Sequence, residues 1–261
     1  MFQKDLMLGK TVLVAGATSG IGKSVAHACA TLGASIYAIG RSEARLKDTM
    51  IGLPCQHETQ RHHIVSGDLS TFEGAVCAFK EVQDESEGVD SVFYSAGVEV
   101  IKATRSLKSS DIEQTCGASF LGAMGAAKVC ASKKFWRNYG AENSGGTLVF
   151  MSSVSAKRGQ LGMASYAAAR AGVIGFARSL AVEMFGLNVR VNTIVSGAVE
   201  TEMHSRITLN LSNEAKEKYE LSHPLGISQP SDIANMFIFL TSDAGRRITG
   251  TELVVDGGYL V

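Results

Sequence analysis

The run Thr11-Val12-Leu13-Val14-Ala15, followed at once by Gly16-Ala17-Thr18-Ser19-Gly20-Ile21-Gly22, constrains the fold more than any other stretch of this chain. Four consecutive apolar residues, Val12 to Ala15, suit a strand covered on both faces, as in a parallel sheet. The glycines permit a tight turn, close backbone approach to a pyrophosphate and close packing of a helix on a strand. A helix opening at this turn points free N–H groups and its positive dipole end at an anion. The spacing is GxxxGxG rather than GxGxxG, so the inference rests on the strand–turn–helix context.

Beyond that turn, short apolar runs alternate with longer helical patterns, which argues for βαβ units. Strands are expected at 11–15, 34–39, 64–66, 89–95, 146–152, 189–195 and 253–256. The expected fold is a single Rossmann-like, doubly wound α/β domain over 1–261. Its mostly seven-stranded parallel sheet carries helices on both faces. A polar, charged stretch at 202–229 lies between the sixth strand and a late helix. Long loops at the carboxyl ends of such strands act as lids, so a substrate lid is expected there. A solvated helical insertion is the alternative.

Apolar residues make up 45% of the 261 residues and charged residues 19%, and a chain this long buries a large core without metal or disulfide support. A net charge of zero gives no reason to expect a nucleic-acid or membrane partner. The five cysteines are scattered and without metal-ligand spacing, and no apolar run is long enough to span a bilayer. Reduced thiols and a cytoplasmic location are therefore expected. His57, His62 and His63 fall in what reads as a polar loop, with no metal site expected.

Further motifs recur in a fixed order: Asp68-Leu69, Ser95-Ala96-Gly97, Ser153 with Tyr166, and Ile248-Thr249-Gly250 leading to Asp256-Gly257-Gly258. With the glycine turn, they make the chain resemble the short-chain dehydrogenase/reductase family from about Gly9 to Gly258. The resemblance implies that Asp68 and Leu69 flank an adenine, Ser95 to Gly97 the adenosine ribose, and Val199 with Thr201 a nicotinamide carboxamide. An acidic residue at the end of the second strand binds a ribose 2′-OH, whereas arginine accommodates a 2′-phosphate. Here Gly40 is followed by Arg41 and Ser42, so NADP is the expected cofactor.

Tyr166 and Arg170 lie four apart in a helical run and so share one face. The resemblance implies that Tyr166 is the acid/base, that Ser153 polarises a carbonyl, and that position 170 holds the nicotinamide ribose and activates the tyrosine. The family has lysine where this chain has Arg170, and asparagine where it has Ser119. A cation about 4 Å from an anion stabilises it by roughly 4 kcal/mol at an effective dielectric of about 20, so arginine can support a tyrosinate. It cannot surrender a proton, which closes any relay through a neutral amine. Ser95, Ser196-Gly197 and Ala15 depart from the family's Asn, Pro-Gly and Thr.

The sequence thus predicts an NADP(H)-dependent oxidoreductase moving a hydride between nicotinamide and a ketone or secondary alcohol. The alternatives are a catalytically impaired nucleotide-binding regulator or scaffold, and a lyase or isomerase reusing the tyrosine. A small-molecule carbonyl or alcohol substrate is expected, with Leu161, Met163 and Met203 as an apolar pocket wall. The small residues after Tyr166 permit close helix pairing, and the resemblance implies a homodimer or homotetramer.

Overall fold

In the computed structural model, which describes residues 2–137, 145–209 and 212–261, seven parallel strands form one sheet. They are β1 (Thr11–Ala15), β2 (Ser35–Gly40), β3 (His62–Ser66), β4 (Ser91–Tyr94), β5 (Gly146–Ser153), β6 (Val189–Ser196) and β7 (Glu252–Val255), in the order β3-β2-β1-β4-β5-β6-β7. The helices are α1 (Gly20–Thr31), α2 (Glu43–Ile51), α3 (Phe72–Glu85), α4 (Ser109–Cys116), α5 (Gly122–Cys130), α6 (Ala164–Glu183), α7 (Glu202–Thr208), α8 (Asn213–Leu221) and α9 (Pro230–Thr241).

Alternation along β1 explains the two layers of helices. Leu13 and Ala15 join the cluster with Phe79 of α3, Ala126 of α5 and Val173 of α6. Val12 and Val14 point the other way, into the cluster with Val25 of α1, Leu46 of α2 and Phe237 of α9. Successive side chains of a strand face opposite sides, so a strand between two helical layers must be apolar at every position. The strand order reverses between β1 and β4, which opens a crevice at their carboxyl ends.

Three local expectations need correction. His62 and His63 belong to β3 rather than to a loop. His62 Nδ1 accepts from the Ile36 amide at 3.2 Å and its Nε2 donates to the Pro54 carbonyl at 3.0 Å, while His63 stacks on Tyr37. Burial lowers the His62 pKa, consistent with the neutral ring these bonds require. An edge strand is wetted on one side, and its polar residues disguise it. His57 is instead bound to Asp5, with Nε2 at 2.9 Å from the carboxylate.

The fourth strand is shorter than expected, with Val89 making only an isolated bridge to Trp136, and the last begins one residue early, at Glu252. The stretch 202–229 contains the helices α7 and α8, apart from residues 210 and 211, which lie outside the described residues. Thr201 and Ser212 cap those helices, accepting from the His204 and Ala215 amides. Among the described residues, no helix is long and apolar enough to cross a membrane.

Candidate active site

A cleft of about 1800 Å³ runs along the carboxyl ends of the strands. At Gly16 the backbone has φ of 91°, and a Cβ there would lie 2.9 Å from both the Ala96 amide nitrogen and Ser95 Oγ. Glycine is therefore required by conformation and by space. Ser95 Oγ donates to the Ala15 carbonyl at 3.0 Å, tying the end of β4 to the end of β1. Ser19, at the N-cap of α1, makes no side-chain capping bond, so the first-turn amides of α1 keep their capacity for an external anion.

The residues expected around a nucleotide divide in two. The glycine turn (Ala17 excepted), Arg41, Leu69, the Ser95-Ala96-Gly97 segment and Val199 with Thr201 all line the cleft. Ser42 and Asp68 do not. Ser42 caps α2 by accepting from the Arg45 amide, and Asp68 accepts from the Ser70 amide at 2.9 Å and its hydroxyl at 2.7 Å. Those two bonds, aided by the charge of Arg41, hold the Asp68 carboxyl below its ordinary range. A second cation, unforeseen in the sequence, lines the same cleft: Arg45, in the first turn of α2, pairs with Glu202 of α7 at 3.5 Å.

Ser153 ends β5, and Tyr166 and Arg170 stand on one face of α6; all three line the cleft. The Arg170 guanidinium lies 5.0 Å from the Tyr166 ring centroid, and its Nη1 donates to the Met151 carbonyl at 2.9 Å. Its Nε has no partner among the described residues. Ser119 does not line the cleft; it is buried in a π-helical turn, Gly117–Leu121, and its Oγ is also unpartnered there. Such turns recur at functional sites because they redirect one side chain out of helical register.

Gly97 is where these groups meet. A Cβ at this position would collide with Arg170 Nη2 and lie 3.0 Å from Ser119 Oγ. Gly97→Ala is therefore expected to displace the guanidinium and to lower stability by about 1–3 kcal/mol through overpacking. Urea unfolding measures the second effect, and an unchanged midpoint would contradict this packing.

A hydrogen-bonded chain leads from Ser153 to the C-terminus. Ser153 Oγ donates to Ser155 Oγ at 3.3 Å, Ser155 Oγ donates to Gln160 Oε1 at 2.7 Å, and Gln160 Nε2 donates to the Tyr259 hydroxyl at 2.9 Å. Tyr259 is held there because Asp256 accepts from the Gly258 and Leu260 amides, which explains the acidic residue of the Asp256-Gly257-Gly258 motif. Tyr259 stacks on His223, whose ring meets Tyr219 of α8, which in turn stacks on His204 of α7. The expected apolar wall is only part of the lining: Met163 and Met203 are in it, and Leu161 touches it while 97% exposed. The polar groups opposite come from five separate segments, and no local spacing links them.

A doubly wound parallel sheet with a glycine turn at its switch point defines a Rossmann-like α/β fold. Residues 16–260 match the family model described as enoyl-(acyl carrier protein) reductase, and the chain belongs to the short-chain dehydrogenase/reductase family of oxidoreductases. It is 32% identical over 251 residues to the 3-oxoacyl-[acyl-carrier-protein] reductase FabG of Aquifex aeolicus, covering 96% of this chain and 97% of that protein. Among solved structures, it resembles a protein from Beutenbergia cavernae assigned as an NAD(P)-dependent gluconate 5-dehydrogenase, with NADP bound at low occupancy. That likeness has a TM-score of 0.84, 26% identity and coverage of 99% of both chains. It also resembles a 7α-hydroxysteroid dehydrogenase complexed with NADH and 7-oxo glycochenodeoxycholic acid, with a TM-score of 0.86, 25% identity and coverage of 99% of this chain and 98% of that one.

Proposed function

We propose that this protein is an NADP(H)-dependent oxidoreductase interconverting a ketone and a secondary alcohol. The observation that carries the reading is the placement of Ser153, Tyr166 and Arg170 in the same cleft as the glycine turn. Tyr166 donates its phenolic proton to the carbonyl oxygen during reduction and takes it back during oxidation. Ser153 turns its hydroxyl from Ser155 to donate a hydrogen bond to the same oxygen. Arg170, a permanent cation stacked on the Tyr166 ring, stabilises the tyrosinate left behind. When bound, the nicotinamide supplies or accepts the hydride.

The residues present fit that cofactor. The uncapped start of α1 suits a pyrophosphate, and Arg41 with Arg45 suits a 2′-phosphate. Arg170 Nη2, beside Gly97 in the cleft lining, is a donor for a ribose hydroxyl. Ser42 and Asp68 serve the nucleotide indirectly, Ser42 by fixing α2 and Asp68 by fixing the turn before Leu69. Ser119 closes the floor behind Gly97. The helices α7 and α8 form the substrate lid of a single domain, supported by His204 and Tyr219 in the cleft wall and by the Arg45–Glu202 pair. A homo-oligomer through α6 is supported by open space at Gly175 and by the exposed side chains of Val182 and, in the turn that follows the helix, Phe185.

The test is NADPH oxidation with a panel of ketones, read at the nicotinamide absorbance. Arg170→Lys is the informative variant. Lysine lacks the planar fork that bonds Met151 and stacks on Tyr166, so kcat is expected to fall by about tenfold or more. A rise in kcat would identify a reductase impaired by its arginine.

A further inference from the structure

Glu99 lies two residues beyond Gly97, in the segment leaving β4, and lines the cleft half-buried. Its carboxyl makes no hydrogen bond or ion pair among the described residues. It feels the charge of Arg170 behind it and is felt by Tyr219 across the cleft. A partly desolvated carboxyl without a partner is costly, and the groups that satisfy it must come from water or ligand. Burial pushes the Glu99 carboxyl up against the opposing pull of Arg170. Its two oxygens can accept hydrogen bonds from a substrate hydroxyl.

The facing wall is built alike. His204 Nε2 is buried and unpartnered among the described residues, and burial lowers the pKa of its ring, favouring the neutral form. Tyr219, whose hydroxyl is likewise unpartnered among them, has its pKa pushed up to about 12, chiefly by burial and then by the charge of Glu99. Both lie in the cleft lining with Glu99. An aliphatic substrate would cover the Glu99 carboxyl and the Tyr219 hydroxyl and leave them unsatisfied, whereas a hydroxylated one would satisfy them.

We propose that Glu99 is the specificity-determining residue of this cleft and selects small carbonyl compounds, or the matching polyols, that carry a hydroxyl close to the reacting carbon. The inference deepens the oxidoreductase reading and rests on it. The closeness follows from the chain path. Gly97 touches Arg170, Arg170 stacks on Tyr166, and Glu99 is within about 7 Å of Gly97 along the backbone. The Tyr219 hydroxyl takes a more distant polar atom of the substrate.

The experiment compares kcat/KM for matched pairs with NADPH: hydroxyacetone against butanone, and 2-hydroxycyclohexanone against cyclohexanone. A site built to hydrogen-bond a hydroxyl should prefer the hydroxylated member by about 100-fold or more. Glu99→Leu should bring each pair within about threefold, mainly by losing the hydroxylated member, while Glu99→Gln keeps most of the preference. NADPH fluorescence titration checks that each variant is folded and loaded. Equal turnover of both members by the wild type, or a preference that survives Glu99→Leu, would overturn the proposal. A thermal-shift titration of the NADPH-loaded protein with the same pairs reads selectivity without turnover. If the protein binds the hydroxylated member selectively through Glu99 but never oxidises NADPH, the oxidoreductase reading fails and the recognition stands. If turnover occurs without hydroxyl preference, the recognition fails and the oxidoreductase reading stands.

Discussion

Replacing Tyr166 by phenylalanine is expected to lower kcat for NADPH-dependent ketone reduction by about 10³-fold, near the middle of the range for removing a general acid. That corresponds to about 4 kcal/mol of lost transition-state stabilisation. The phenylalanine keeps the ring that Arg170 covers, so the guanidinium retains its place and its bond to Met151. NADPH affinity should therefore stay within about twofold, because the loss falls on the chemical step rather than on uniform binding. Steady-state rates at saturating substrate, with a parallel NADPH fluorescence titration, measure the two quantities. Loss of both in proportion would mean that the tyrosine holds the cleft together and leaves its acid/base role without support.

The second large effect concerns the nucleotide. Arg41→Ala combined with Arg45→Ala should weaken NADPH binding by about 100-fold or more, since each charge-assisted contact contributes about 1.5–3 kcal/mol. NADH lacks the 2′-phosphate, so its affinity should change by less than about threefold, and the preference between the nucleotides should collapse. Arg41→Ala alone should give an intermediate loss, because Arg45 reaches the same region from one turn along α2. The Arg45–Glu202 pair is exposed at both ends and contributes little to stability, so unfolding midpoints should barely move. Equal losses for NADPH and NADH would contradict a 2′-phosphate site.

Much of the architecture was legible because its cause is local. An apolar run of period one announces a strand between two layers, and β1 is that strand. The i, i+4 spacing placed Tyr166 and Arg170 on one face of α6, and the cation stands over the tyrosine ring. Local patterning and burial part company elsewhere. Strand β3 is at the sheet edge, so His62 and His63 looked like loop residues until their bonds to Ile36, Pro54 and Tyr37 were visible. Ser42 and Asp68 were expected to face a nucleotide, but short polar side chains after a strand also cap helices and turns, and both do so here.

The substrate half of the site was the least legible. Glu99, Gln160, His204, Tyr219 and Tyr259 are brought together by the packing of the tail and α8 against the cleft, and no spacing in the chain relates them. Leu161, expected as a pocket wall, does line the cleft, but at its rim, with the side chain 97% exposed. Ser119 was found only through the family resemblance, and its π-helical setting carries no sequence signature of its own.

In the proposed reaction, hydride passes between a nicotinamide and a carbonyl carbon with Tyr166 as the proton donor. Isotope transfer tests it most directly. The protein is incubated with hydroxylated ketones and NADPH deuterated at C4, in the two stereospecific forms, and the alcohol products are analysed by mass spectrometry. Deuterium is expected on the carbinol carbon from one form only, and almost none with the Tyr166→Phe protein. Product formed without deuterium from either form, or at an undiminished rate by the Tyr166→Phe protein, would contradict it.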